Sequence, residues 1–404
     1  MIPPVLKNNV IKNAENLNEN KLIVLRIIGE FGNEFTGPSK QAYLLTKGLE
    51  KKGISSIILT FKKGPVNLRK SKIIEYKPFF STGHYKLSLK MLIDSLKINC
   101  TIIHVHSYRN FQTDVGALSS FLKKIPLIMT THGSVRGYEF LNLDFGSKLP
   151  NIIYDAITMK FSLRVAKKIV ATSKNEANDL INFGIPENKI KIIPNGIEFP
   201  NINIKKENKE TINLLTVSRL TYKNNLEMAI KAFYDAYKRN NKLRYIIVGD
   251  VIPSRYGKEE KGYKEKLIKL CKDLGLQDKV IFKGWLSGEE LWKAYCNSDL
   301  FLWSSRYDNF AHALVEAAYF KLPIISTPVG IAEELIGKEG GFIVNHENYK
   351  EMSERIIEIT ENPKLIKEMG EHNHKQSLNY SYERMVEEYY KLYEEVAQCA
   401  ESVE

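Results

Sequence analysis

Two carboxylates separated by seven residues, Asp308 and Glu316, are the side chains whose types and spacing first indicate chemistry. A carboxylate accepts hydrogen bonds strongly from hydroxyl groups. The pair therefore predicts a site for a ligand that carries hydroxyls. The simpler alternative is a helix-capping aspartate followed by a surface glutamate, which requires no ligand.

The elements expected around this pair are a strand, a loop and a helix. Residues 299–303 form a short apolar run, which predicts a buried strand. Apolar residues at helical spacing follow, and Pro323 stops the helix. The first N–H groups of a helix have no intrahelical partner. We therefore expect the amides around Phe310, Ala311 and His312 to bind an anion or a sugar hydroxyl.

Two cations follow another predicted strand in the second half of the chain. Residues 212–217 are apolar, Arg219 comes just after them, and Lys223 precedes an amphipathic helix that starts near Leu226. Two cations beside a helix N-terminus are typical of a phosphate site. Asn224 is the alternative to Lys223 at this position.

Histidines mark the ends of two predicted strands in the first half. Residues 101–107 carry His104 and His106 on one face, because strand side chains alternate. A second apolar run, residues 126–131, leads directly into His132. Ligands of open parallel sheets bind beyond the carboxyl ends of the strands. We therefore expect His132, and then His106, to line a cleft, with His104 in the core.

Strands and helices alternate along the whole chain, which predicts an α/β protein with doubly wound sheets. A length of 404 residues exceeds one ordinary core. We expect a disordered tail at 1–20, Rossmann-like domains at 21–200 and 201–375, and a helix crossing back at 376–404. The first strand leads into a glycine-rich loop ending at Gly37, but it lacks the Gly-x-Gly-x-x-Gly dinucleotide fingerprint.

A formal net charge of +12 indicates an acidic partner. Residues 61–97 hold nine Lys and Arg against two acidic residues, with aromatic and aliphatic residues between them. This stretch predicts either contact with an anionic membrane surface or an ordinary solvated helix face. No nucleic-acid-binding motif accompanies the charge, so we expect no nucleic acid partner.

No apolar run spans a membrane, and four scattered cysteines favour a reducing compartment. The predicted location is cytoplasmic, either free or peripheral on the inner face of the membrane.

The segment from Trp303 to Glu333 resembles the donor-sugar signature of the family-4 retaining glycosyltransferases, which have a GT-B fold of two Rossmann-like domains facing across a cleft. That signature reads Glu-x7-Glu, whereas this chain has Asp308-x7-Glu316. The resemblance also covers the strand ends at His106, Gly249 and Trp285, and extends from about residue 21 to 394.

The resemblance implies a hexosyl transfer from a nucleotide diphosphate sugar, with UDP- or GDP-sugars as the expected donors. Glu316 would hold the ribose, Asp308 would face the sugar, Arg219 and Lys223 would neutralise the diphosphate, and His132 would contact the sugar. The remaining substrate-binding residues that we expect are Gly37, His106, Gly249, Phe310, Ala311, His312 and Val315. The acceptor would be a sugar, a lipid-linked glycan or a polysaccharide.

Two other functions stay open at this point. A nucleotide-sugar epimerase would share the architecture and the donor site, and a non-catalytic relative would keep the fold without turnover. The sequence contains no Asp-x-Asp pair to bridge a cation to a diphosphate, so we expect neither a metal nor another cofactor.

Overall fold

The computed structural model describes residues 22–33, 37–82, 85–135, 145–202, 206–207, 210–251 and 262–401. The tail predicted at residues 1–20 lies outside the described residues.

The first half is built on a seven-stranded parallel sheet, with two short two-stranded sheets beside it. Its strands are β1 (Ile23–Ile27), β2 (Glu30–Phe31), β3 (Ser55–Thr60), β4 (Lys62–Lys63), β5 (Lys72–Glu75), β6 (Phe80–Thr82), β7 (Tyr85–Leu87), β8 (Ile102–His106), β9 (Leu127–Thr130), β10 (Lys168–Ala171) and β11 (Ile190–Ile192). The order in the large sheet is β11-β10-β9-β8-β1-β3-β5. The chain therefore winds outward from β1 in both directions, as in a doubly wound fold.

Helices connect these strands, because parallel strands need a crossover. They are α1 (Gly37–Lys51), α2 (Leu89–Lys97), α3 (Phe111–Lys123), α4 (Phe145–Thr158), α5 (Phe161–Val165) and α6 (Lys174–Asn182). Polar side chains cap three of them in the way that sequence favours: Ser88 accepts from the amide of Met91, Asn110 from Thr113, and Ser173 from Glu176.

The second half is built on a six-stranded parallel sheet of the same winding. Its strands are β12 (Ile212–Val217), β13 (Leu243–Val248), β14 (Val280–Gly284), β15 (Leu300–Trp303), β16 (Ile324–Ser326) and β17 (Gly341–Ile343). Its helices are α7 (Leu226–Arg239), α8 (Tyr263–Asp273), α9 (Gly288–Cys296), α10 (His312–Tyr319), α11 (Ala332–Ile336), α12 (Tyr349–Thr360) and α13 (Pro363–Ser377). The sheet order is β14-β13-β12-β15-β16-β17.

The last helix, α14 (Tyr382–Glu401), returns to the first half. Its apolar stripe, which includes Met385, Tyr389 and Tyr393, is buried in one cluster with residues of β1 and α1. Gly48 of α1 lies so close to α14 that an added Cβ would collide with the side chain of Val386. Helix α14 therefore packs on the first half, and the predicted domain boundaries, including 376–404 for the last segment, stay a prediction.

Strand order locates the two points where ligands bind in such sheets. The winding reverses between β1 and β8 in the first sheet and between β12 and β15 in the second. A crevice opens beyond the carboxyl ends of the strands at each reversal. His106 ends β8, and His132, Arg219 and Asp308 follow β9, β12 and β15. The topology therefore places these predicted residues, which are distant in sequence, near the two reversal points.

Candidate active site

Asp308 lies in the loop between β15 and α10, and its carboxylate is held on three sides. Its Oδ1 accepts hydrogen bonds from the backbone amides of Phe310, at 3.1 Å, and Ala311, at 2.9 Å. The Nζ of Lys223 lies 3.7 Å from Oδ2. We expected those two amides to be open to a ligand; Asp308 occupies them instead. Asp308 thus caps the turn that leads into α10, and its contact with a ligand stays a prediction.

The charge of Asp308 is stabilised although the side chain is only 19% exposed. Burial raises the pKa of Asp308, but Lys223, the two amides and His312 outweigh burial and hold it below its usual value. Asp308 is therefore ionised at neutral pH and can accept hydrogen bonds from a hydroxylated ligand.

Lys223 reaches this loop because two turns are tied together. The amide of Arg306 donates to the carbonyl of Lys223 at 2.8 Å, and the Ser304 hydroxyl donates to the carbonyl of Asn224 at 2.9 Å. The buried side chain of Asn224 donates to the carbonyl of Arg219 at 2.7 Å. Asn224 is thus a structural residue of the turn, and Lys223 supplies the cation.

Arg219 follows β12 at the reversal of the second sheet, and its side chain is exposed. Gly249, after β13, packs directly against the neighbouring backbone: an added Cβ would overlap the carbonyl oxygen of Ser218. Gly249 also has φ +128°, which other residues rarely adopt. Its role in the structure is to let the backbone approach Arg219, and the phosphate-binding role of Arg219 stays a prediction.

Glu316 projects from α10, one helix turn beyond His312, and is half-buried. The hydroxyl of the buried Tyr295 donates to its Oε2 at 2.8 Å. Burial raises the pKa of Glu316, whereas Tyr295 and the positive charge of Lys40 lower it. Among the described residues, no side chain or amide donates a hydrogen bond to its other oxygen. Tyr295 therefore fixes the carboxylate and leaves one oxygen for a ligand.

His312 joins the two halves at the start of α10. Its Nε2 lies 3.1 Å from Nε2 of Gln41 in α1, and Gln41 also exchanges two hydrogen bonds with the backbone of Gly196. An added Cβ on Gly37 would lie 3.9 Å from Cε1 of His312. Burial lowers the pKa of His312 to about 4, opposed by Asp308 and assisted by Lys40. Gly37 and His312, predicted separately, are thus brought together across the cleft.

His132 lies in the turn after β9 with φ +51°, a strained value for a residue with a side chain. The buried Glu176 of α6 secures this turn, since its carboxylate accepts from the hydroxyl of Thr131 and the amide of Gly133. An added Cβ on Gly133 would lie 2.8 Å from Cβ of Asn309. His132 therefore stands beside the loop that carries Asp308.

His106 and His104 are both buried in β8, contrary to the expectation that His106 borders an open cleft. Nδ1 of His106 lies 3.1 Å from Nε2 of His132, and the planes of the two rings differ by only 17°. Burial lowers the pKa of His106 well below its usual value, and that of His132 to about 3. Val315 is fully buried in the hydrophobic core of the second half, so its side chain serves packing.

Two family models match this chain in adjacent segments. "Glycosyltransferase Family 4" matches residues 35–199, and "Glycosyl transferases group 1" matches residues 198–376. The chain belongs to this glycosyltransferase family. The family predicted from the Asp308 segment is confirmed.

Relatives and solved structures agree with the family. An uncharacterized glycosyltransferase of Methanocaldococcus jannaschii is 28% identical over 76% of this chain and 78% of its own length. A GDP-mannose:cellobiosyl-diphosphopolyprenol alpha-mannosyltransferase of Xanthomonas oryzae is 25% identical over 68% of both chains. The structure of HepE from Anabaena with UDP and glucose superposes with a TM-score of 0.70 at 18% identity, covering 92% of this chain and 99% of HepE. This likeness confirms the expected GT-B fold.

Several residues of this glycosyltransferase that complete the site were missed by sequence reasoning. Lys40 and Gln41 come from α1, Glu176 from α6, Tyr295 from α9 and Asn309 from the Asp308 loop. Only Glu176 carried a local signal, because Ser173-x-x-Glu176 has the spacing of a capping box. The others reach the site through tertiary contacts alone.

Within the part of the chain that the structure describes, no group of three or more His, Cys, Asp or Glu side chains could hold a metal ion. None of the described helices of this glycosyltransferase is long and apolar enough to cross a membrane.

Proposed function

We propose that this glycosyltransferase moves a hexosyl unit from a nucleotide diphosphate sugar to a hydroxyl acceptor with retention of configuration and without a metal. The observation that carries the proposal is the Lys223–Asp308 pair, at 3.7 Å, beside the reversal point of the second sheet. It combines a cation for a phosphate with an ionised carboxylate for a sugar hydroxyl. The turn that carries His132 approaches the same loop, since an added Cβ on Gly133 would lie 2.8 Å from Cβ of Asn309.

The donor would lie along the carboxyl edge of the second sheet. Arg219 and Lys223 would face its diphosphate, Asp308 its sugar, and the free oxygen of Glu316 the ribose hydroxyls. HepE, whose structure superposes, was solved with UDP and glucose, and the Xanthomonas relative is named for GDP-mannose. These names support a UDP- or GDP-sugar as the donor. The name of the Xanthomonas enzyme also supports a lipid-linked glycan as one class of acceptor.

The reaction breaks the bond between the anomeric carbon and the diphosphate oxygen. The acceptor oxygen bonds to the same face of that carbon, and its proton passes to the departing phosphate. Negative charge grows on the phosphate as the bond breaks, so cations already in position stabilise the transition state more than the bound substrate. Asp308 and His132 orient the sugar through hydrogen bonds.

A face of the first half suits an acceptor presented on an anionic membrane. Phe79 and Leu89 are 65% and 62% exposed, and Phe80 and Ile93 are also exposed. Lys77, Lys86 and Lys90 lie near them in the sequence. Apolar side chains among cations favour the interface of an anionic bilayer over plain water.

The stereochemistry of the product tests the proposed function. The protein is incubated with α-linked UDP- and GDP-hexoses and a panel of sugar and polyprenyl-diphosphate-linked acceptors, with a chelator present throughout. We expect an α-linked product, identified from the anomeric proton coupling. A β-linked product, or activity that the chelator abolishes and manganese restores, would contradict the proposal. Conversion of the donor into its epimer without any acceptor would identify an epimerase instead.

A further inference from the structure

Arg26, in the middle of β1, is completely buried and lies outside the predicted site. Its Nη1 is 2.9 Å from Nδ1 of His104 and 2.8 Å from Nε2 of His106, and its Nη2 is 3.1 Å from the hydroxyl of Tyr393. Among the described residues, no carboxylate pairs with this guanidinium. A buried cation that donates only to two histidines and a tyrosine is unusual, because buried charges normally have a counter-charge.

The guanidinium determines where the protons of the neighbouring rings sit. An arginine can only donate hydrogen bonds, so Nδ1 of His104 and Nε2 of His106 must both accept. The Tyr393 hydroxyl accepts from Nη2 of Arg26, lies 2.6 Å from Nδ1 of His104 and donates its own proton to that nitrogen. Burial keeps the pKa of both rings low, so each ring is neutral and carries one proton on its other nitrogen. His104 then donates from Nε2 to the Thr130 hydroxyl, 2.9 Å away, and His106 must donate from Nδ1.

His132 receives that hydrogen bond. Nδ1 of His106 and Nε2 of His132 are 3.1 Å apart, and with the proton on His106 the Nε2 of His132 must accept. Neutral His132 therefore carries its proton on Nδ1. Protonation of Nε2 would bring two N–H groups face to face. Burial, and after it His312, lower the pKa of His132 to about 3, so the ring is neutral at pH 7.

We propose that Arg26 is a positioning residue that acts through His106 to fix His132 as its Nδ1–H tautomer, so that His132 meets the substrate as a hydrogen-bond donor. The catalytic consequence rests on the proposed function, in which His132 contacts the donor sugar. The tautomer itself does not depend on that function. In a serine protease triad, a carboxylate orients a histidine by a comparable hydrogen bond, and the wrong tautomer is far less active. Here a buried arginine orients His132 indirectly, through His106.

The test is nitrogen NMR of the full chain with ¹⁵N-labelled histidine at neutral pH. Long-range proton–nitrogen correlations distinguish protonated from unprotonated ring nitrogens, and single substitutions assign the eight histidines. We expect Nδ1–H for His106 and His132, and Nε2–H for His104. A His132 ring protonated on Nε2, or a mixture of both tautomers, would overturn the proposal.

A matched pair of variants tests the link between His106 and His132. In H106N the side-chain amide can still donate to His132, whereas the nearly isosteric H106D can only accept. We expect H106N to keep the Nδ1–H tautomer of His132 and H106D to shift the proton to Nε2. Turnover should be roughly tenfold to a hundredfold lower in H106D than in H106N. The same tautomer in both variants would overturn the relay.

Arg26→Met tests the first link, and we expect His106 to lose its single tautomer in this variant. An unchanged His106 signature would remove Arg26 from the relay. If this variant does not fold, the wild-type signatures of His104 and His106 decide the point. The two variants could also differ in the tautomer of His132 and yet have equal turnover. That result would overturn the catalytic part of the proposal and the role of His132 in the proposed function. The relay from Arg26 through His106 to His132 would stand.

Discussion

At the scale of single residues, the two cations that follow β12 differ in their exposure and contacts. Lys223 is half-buried beside Asp308, whereas Arg219 is exposed at the strand end. The spacing to Arg219 leaves Asn224 as an alternative to Lys223. In the structure, the side chain of Asn224 donates a hydrogen bond within the turn, to the carbonyl of Arg219. Lys223 thus has the better defined contact. Arg219 has the freer side chain for a ligand that enters the cleft.

Replacing either cation should slow turnover more than it weakens donor binding, because the diphosphate gains charge as the glycosidic bond breaks. For Arg219→Ala and Lys223→Ala we expect a loss of about 3 kcal/mol in the transition state, roughly a hundredfold in kcat. Steady-state kinetics with saturating acceptor measure this, after circular dichroism confirms folding. Arg239→Ala, at the far end of α7, is the matched control and should keep normal turnover. Near-normal kcat in folded Arg219→Ala would put the diphosphate elsewhere.

Local spacing singled out Asp308, Lys223 and His132 as candidates, because each follows a strand that the apolar pattern reveals, and Glu316 by its distance from Asp308; their roles stay predictions. It could not find Gln41, whose partner His312 is 271 positions away. The prediction from spacing that the amides of Phe310 and Ala311 are open to a ligand was also wrong. A pattern locates a helix start, but only the folded loop shows that Asp308 already satisfies those amides.

At the scale of elements, β1, β8, β9 and α14 share a buried polar cluster. Arg26, His104 and Thr130 face Tyr393 and Tyr389 of the last helix. The apolar stripe of α14 was visible in the sequence, but periodicity cannot say which surface a helix covers. The hydroxyls of the two tyrosines give the reason for its position, since they satisfy polar groups that a plain apolar helix would leave unpaired.

This cluster makes stability depend on pH. The pKa values of His104 and His106 lie well below 6.5 in the folded protein, and that of His132 is about 3. The unfolded chain therefore binds more protons below pH 6.5, and stability is lost as the pH falls from 6.5 toward the folded values. Between pH 7 and pH 5 each histidine should cost about 2 kcal/mol of the free energy of unfolding.

Urea titrations at both pH values measure this loss, and H106N should make the loss smaller, because it removes one of the histidines whose pKa is lowered. Glu176, Glu316 and Asp114, whose pKa values burial raises, act in the opposite direction. A free energy of unfolding that stays constant or rises as the pH falls to 5 would contradict neutral buried histidines.

At the scale of the whole molecule, contacts hold the two halves around the cleft. Ser173 donates to the carbonyl of Asn309 at 2.8 Å, Asn175 donates to the carbonyl of Gly330 at 3.0 Å, and α14 packs on the first sheet. The two-sheet architecture was predictable from the alternation of strands and helices. The closeness of the halves was not, because these contacts join residues more than 130 positions apart.

The exposed apolar and basic face of the first half predicts membrane binding. Vesicles with anionic lipid should bind the protein at low salt and release it at high salt, because salt screens exposed charges. A Leu89→Ser, Ile93→Ser double variant should bind more weakly in a sedimentation assay. Ile268→Ser, which changes an exposed apolar residue of the second half, is the matched control. Equal binding to neutral vesicles would leave the stretch 61–97 as a solvated surface.

Calorimetric titration of UDP and GDP into the wild type and Glu316→Gln, with a chelator present, tests the central claim most directly. The claim is that a nucleoside diphosphate lies against the carboxyl edge of the second sheet. We predict saturable binding of at least one nucleotide to the wild type, and binding roughly tenfold to a hundredfold weaker to Glu316→Gln, because a charge-assisted hydrogen bond to the ribose is lost. Glu368→Gln, on the exposed face of α13, should bind like the wild type. Equal affinity of the wild type and folded Glu316→Gln would contradict this placement of the donor.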